Sequence, residues 1–68
     1  MVTNLVREIR KKRGITQDQL AKELQVTRQT IIAIERNRYN PSLELALKFA
    51  NYFGQPVEEI FHLTEENE

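Results

Sequence analysis

A run of side chains near the middle of the chain can read the edges of nucleic-acid bases. Gln29 carries an amide, which offers a donor and an acceptor side by side and so matches adenine N6 and N7 together. Arg28 beside it can make the equivalent paired contact to guanine O6 and N7, or grip a backbone phosphate instead. Thr30 and Ala33 bring methyl groups that can meet the methyl of thymine. Ile32 can pack on a methyl or a sugar, although scattered apolar residues are also ordinary on surfaces. Nearby, Gln17, Thr27, Arg36, Arg38 and Asn40 supply amide, hydroxyl and guanidinium donors of the kind that hold phosphate oxygens. Tyr39 can offer its hydroxyl to phosphate or cover the core, and cover is the favoured reading.

The formal net charge over 68 residues is zero, which alone argues against a polyanionic partner. Its distribution reverses that impression. Residues 1–40 hold nine Lys and Arg against four Asp and Glu, whereas residues 41–68 hold one lysine against six glutamates. A basic half with the base-reading candidates and an acidic half without them make an oriented molecule, with double-stranded DNA as the partner of the first. Other chemistries lack residues. There is no cysteine and His62 is the only histidine, so neither a disulfide nor a metal site is expected. No carboxylate pair is set by a motif, and no GxGxxG, P-loop or GxSxG occurs. The expectation is therefore no enzyme, no cofactor and no small-molecule ligand. No apolar run approaches the roughly 20 residues that span a bilayer, and no signal-peptide core is present. With the lack of cysteine, this points to a cytoplasmic protein and no membrane partner.

These side chains need elements to hold them. Thr16 is a helix N-cap, and Leu20, Ala21 and Leu24 fall on one helical face after it. Gln25 and Val26 break the pattern, and Thr27 caps a second helix whose buried pair is Ile31 and Ile34. A connection of about three or four residues makes the two helices cross steeply. The small Ala21 allows close approach, and Val26 plugs the gap. Before this unit, a helix capped at Thr3 or Asn4 runs to about Arg13 with Leu5, Val6 and Ile9 inward, and Gly14 ends it. After it, Asn37 takes a left-handed turn, and Pro41 and Ser42 open a helix over residues 43–53. That helix is apolar on two stripes, Leu43, Ala46, Leu47, Ala50 and Phe53 on one and Leu45, Phe49 and Tyr52 on the other. Gly54 and Pro56 separate it from a short helix over residues 57–61. Residues 61–64 alternate like a strand and can pair with residues 1–3. Glu65–Glu68 reads as a frayed acidic tail.

Gln17, Ala21, Leu24, Val26, Thr27, Ile31, Ile34 and Glu35, flanked by Arg10 and Gly14 before and Asn40, Pro41 and Ser42 after, resemble the Cro/CI-type (XRE) helix-turn-helix family. The likeness covers roughly residues 5–63 and is nearest in look to small dimeric, cytolysin-repressor-like members that add a C-terminal strand. It implies an all-α, five-helix, lambda-repressor-like DNA-binding domain, with the termini able to add a small antiparallel β-ribbon. It also implies that Gln17 holds a phosphate, and that Arg10 and Glu35 form a partly buried ion pair joining the first and third helices.

One domain is expected over residues 1–68, with the helix-turn-helix at 16–36. So short a chain, without disulfide or metal, leans on association. Phe49, Val57, Ile60, Phe61 and Leu63 are the apolar side chains assigned to a homodimer surface at residues 49–64. The function expected is a transcriptional regulator of repressor type that binds a palindromic operator through the major groove. The alternative is an antitoxin-like or antirepressor module of the same fold whose main partner is a protein.

Overall fold

The computed structural model describes residues 1–64, which form five helices and a two-stranded ribbon. In chain order these are β1 (Val2–Asn4), α1 (Val6–Lys12), α2 (Gln17–Leu24), α3 (Arg28–Glu35), α4 (Leu43–Phe53), α5 (Val57–Ile60) and β2 (Phe61–Leu63). The tail expected at Glu65–Glu68 lies outside the described residues.

Hydroxyl side chains start three of the helices. Thr16 Oγ1 accepts the N–H of Gln19 at 3.0 Å while Gln19 Oε1 accepts the N–H of Thr16 at 2.8 Å, a reciprocal capping box for α2. Thr27 accepts from Thr30 N–H at 3.2 Å for α3, and Ser42 from Leu45 N–H at 3.1 Å for α4. Each such cap is worth about 1 kcal/mol. Helix α1 starts differently. Leu5 is its N-cap, Asn4 Oδ1 accepts the N–H of Val6 at 3.1 Å, and Leu5 itself is 40% exposed rather than inward.

Left-handed residues end the helices. Asn37 sits at φ +59°, and α3 closes with Arg38 N–H on the Ala33 carbonyl at 2.9 Å and Asn37 N–H on that of Ile34 at 3.0 Å. This is a Schellman closure. Gly54 does the same work for α4 at φ +69°. Gln25 ends α2 at φ +62°, where a glycine would avoid a cost of about 1 kcal/mol.

Phe49 lies at the centre of the core, fully buried, with its ring 6.0 Å from Phe53 and edge-on to Phe61 at 5.5 Å. Val6, Leu20, Ile31, Ile34 and Ile60 are also fully buried around it. Complete burial of each such side chain contributes about 1.5–3 kcal/mol.

The packing corrects two sequence-based assignments. The inward stripe of α4 is Leu45, Ala46, Phe49 and Phe53, whereas Leu43 and Leu47 are 76% and 50% exposed. Phe49 and Ile60, assigned to a dimer surface, are enclosed within the monomer with 0% exposure and have no area left for a partner. Helices α2 and α5 pack on α4 and take up the stripe that holds Phe49.

The ribbon is antiparallel, with Val2 opposite Leu63, Thr3 opposite His62 and Asn4 opposite Phe61. It is extended at both ends by hydrogen bonds. Leu5 N–H reaches the Ile60 carbonyl at 2.9 Å, and Thr64 N–H the Met1 carbonyl at 2.7 Å. So short a ribbon is marginal alone. Here Phe61 anchors it to Phe49.

Candidate nucleic-acid interface

The capping box fixes where α2 begins, and that places Gln17 at its first residue. The side chain of Gln17 is not free in the way its sequence position suggests. Its Nε2 donates to Glu35 Oε1 at 3.1 Å. The Glu35 carboxylate also takes Arg10 Nε at 2.7 Å on Oε2 and Arg10 Nη2 at 3.2 Å on Oε1. Arg10 Nη1 donates to the Ile15 carbonyl at 3.0 Å. The side chains of Arg10 and Glu35 are only 10% and 4% exposed. One buried carboxylate thus ties α1, the start of α2 and the end of α3 together by bidentate, charge-assisted bonds. The amide of Gln17 has a second N–H beyond the one given to Glu35.

Helix α3 turns Ile31 and Ile34 into the core. Its 3.6-residue period then leaves Arg28, Gln29, Ile32, Ala33 and Arg36 along the other side. Arg28, Gln29 and Arg36 are exposed, and Ile32 and Ala33 are half-buried. Thr30 is also half-buried, and its hydroxyl lies 3.0 Å from that of Thr27, which takes the capping N–H. Arg28 Nε stands 3.8 Å from Asp18 on α2, in the open. Arg36, Arg38 and Asn40 are exposed along the segment leaving α3, and Tyr39 is 47% exposed, contrary to its expected role as core cover.

A cleft of about 740 Å³ runs beside this face. Ile32, Arg28 and Arg36 line it from the α3 side, Gln17 and Asp18 from α2, and Arg7 and Lys11 from α1. Its rim carries four exposed cations and one exposed acid, because Arg10 and Glu35 neutralise each other beneath it. A cationic rim with amide donors on a helical ridge can engage a polyanion and read what lies inside its groove.

The assigned dimer residues do not form one exposed set. Leu63 is 81% exposed, Val57 and Phe61 are half-buried, and Phe49 and Ile60 are core. Three interactions were missed by sequence reasoning. Gln17 with Glu35 follows only once the helices cross. Asn4 bonds across to the end of α3. Arg13 donates from Nη2 to the Phe53 carbonyl at 2.7 Å and lies 5.2 Å from the Phe53 ring centroid, closing the end of α4. The distance along the chain leaves no local signal for any of them. Among the described residues no cluster of His, Cys, Asp and Glu is arranged to hold a metal, and no helix is long and apolar enough to cross a membrane.

Residues 6–60 match the helix-turn-helix family model. An uncharacterised HTH-type transcriptional regulator of Methanocaldococcus jannaschii is 52% identical over 58 residues, covering 85% of this chain and 88% of that one. The HTH-type transcriptional regulator YgzD of Bacillus subtilis is 47% identical over 64 residues, 94% and 97% of the two chains. The cryptic phage CTXphi transcriptional repressor RstR of Vibrio cholerae is 30% identical over 98% of this chain and 60% of its own length. The crystal structure of a hypothetical transcription factor, NHTF, from Neisseria superposes with a TM-score of 0.71 at 30% identity, over 78% of this chain and 60% of that one.

Proposed function

The chain belongs to the XRE-type helix-turn-helix family, and we propose that it is a transcriptional regulator of repressor type that binds a palindromic operator as a homodimer, with α3 in the major groove. The observation that carries this reading is the ridge of exposed Arg28 and Gln29 and half-buried Ile32 and Ala33 along the outer side of a capped helix, beside a cationic cleft. The front of α3 then meets base edges: Gln29 and Arg28 through paired hydrogen bonds, Ala33 and Ile32 through methyl contacts. Thr30 contributes its methyl, since its hydroxyl is held by Thr27. Gln17, Thr27, Arg36, Arg38 and Asn40 grip phosphates on either side, and the Glu35 bond aims the amide of Gln17. The relatives named as regulators and a phage repressor support regulation as the role.

One recognition helix covers only a few base pairs, so two copies on a twofold axis would read half-sites about 34 Å apart. In this reading residues 1–68 are one domain, 16–36 read the DNA, and the joining surface draws on Val57, Phe61 and Leu63 of the acidic half. The exposed Leu43 and Leu47 favour a second reading, in which the fold docks on a different protein as an antitoxin-like or antirepressor module. Selection of random-sequence duplexes against the pure protein, followed by gel shift, separates the two. A salt-sensitive complex with a palindrome, tighter than with its half-site, supports the first. No specific complex at low salt rejects it.

A further inference from the structure

Asn4 sits in β1, outside every group assigned to DNA, yet its side chain is fully engaged, bridging the start of α1 to the end of α3. Its Nδ2 donates to the Ile34 carbonyl at 2.9 Å and to Asn37 Oδ1 at 3.2 Å, while its Oδ1 accepts the N–H of Val6 at 3.1 Å. The Ile34 carbonyl is one of the terminal carbonyls of α3 and already takes the N–H of Asn37 in the Schellman closure. Asn4 therefore adds a second donor to that closure and holds the side chain of the left-handed Asn37 as well. Arg36 and Arg38 flank Asn37 directly. A small rotation at Asn37 swings the long side chains on both sides of it.

The base of this tether is firm. β1 is paired with β2, and Leu5, next to Asn4, donates to the Ile60 carbonyl at 2.9 Å. Only an amide fits the position. It needs an acceptor for the start of α1 and two N–H donors for the end of α3. Aspartate would keep the first, lose the second, and place a negative charge at the negative end of the α3 dipole.

We propose that Asn4 is a positioning residue for DNA binding: from the terminal ribbon it fixes the end of α3, so that Arg36, Arg38 and Asn40 meet the phosphate backbone in register. This rests on the reading of those three as phosphate contacts. Because phosphate contacts carry no sequence information, loss of the tether should weaken every duplex alike.

The test uses the full chain with Asn4→Ser, or Asn4→Thr should the serine variant not fold, since neither adds a charge beside Arg36 and Arg38. Serine keeps an acceptor for Val6 but is too short to reach Ile34. All measurements are made at one temperature, about 20 °C below the lowest melting midpoint of the set, so that every chain compared is folded. Two readouts are taken: affinity for a selected and a random duplex across a salt series, and hydrogen exchange at the amides of Asn37 and Arg38. The expected result is a drop of about fivefold per half-site on both duplexes, unchanged base preference, and a salt dependence flatter by about 0.9 for each phosphate no longer neutralised. Exchange at Asn37 and Arg38 should accelerate relative to the rest of α3. Wild-type affinity and salt slope in the variant would reduce Asn4 to a stabilising residue and overturn the proposal, as would a changed base preference. Unchanged exchange overturns the tether while leaving the DNA reading standing. No salt-dependent binding by the wild-type chain would bring down both.

Discussion

Replacing Glu35 by alanine removes a carboxylate that accepts three side-chain hydrogen bonds, two from Arg10 and one from Gln17. The Arg10 side chain is 10% exposed, so its charge would remain enclosed with only the Ile15 carbonyl as partner. Breaking a buried pair by deleting one member costs about 3–5 kcal/mol. A domain of this size holds roughly 3–10 kcal/mol in all. Glu35→Ala should therefore consume much of the stability and lower the melting midpoint by tens of degrees, at about 4–8 °C per kcal/mol. Arg10→Met should cost a comparable amount, because it leaves the Glu35 carboxylate, 4% exposed, with Gln17 as its one side-chain donor, just as Glu35→Ala leaves Arg10 with one carbonyl. The double change Arg10→Met with Glu35→Ala should recover at least about 2 kcal/mol relative to the sum of the single losses. Urea denaturation followed by circular dichroism gives all the corners of the cycle. Losses that simply add would mean the two residues are not coupled in solution, and the ion pair would not be what joins α1 to α3.

Gln29→Ala should cost about 1–3 kcal/mol per half-site on the selected duplex and relax preference at one base pair, with random-duplex binding nearly unchanged, as read by competition gel shift. Equal losses on both duplexes would remove Gln29 from base reading. Asp18→Asn should tighten random-duplex binding, since it removes the exposed acid 3.8 Å from Arg28 at the rim of the cleft. Unchanged affinity across a salt titration would show that this rim does not face phosphate. Leu63→Glu and Ile60→Glu should separate sharply. The first alters a side chain that is 81% exposed and should leave the melting midpoint within a few degrees while shifting sedimentation towards monomer. The second drives a charge into a position with 0% exposure and should unfold the chain. A stable Ile60→Glu variant would contradict the core described above.

Much of the architecture is written in short-range signals. Thr16, Thr27 and Ser42 stop and start helices because a hydroxyl meets N–H groups three residues on, and that geometry is complete within one turn. Asn37 and Gly54 end helices because they tolerate positive φ, which is also a local property. The buried pair of Ile31 and Ile34 follows from helical period alone, and with it the side of α3 left open to Gln29. Helix α4 marks where such reasoning stops. Its two apolar stripes are equally apolar to any local rule, and only the arrival of α2 and α5 chose Leu45, Ala46, Phe49 and Phe53 over Leu43 and Leu47. The same choice enclosed Phe49 and Ile60. Asn4 and Gln17 show the limit for polar groups. Their partners lie 30 and 18 residues away, and a hydrogen bond between separate elements depends on the arrangement that core packing establishes, which no short stretch of sequence contains.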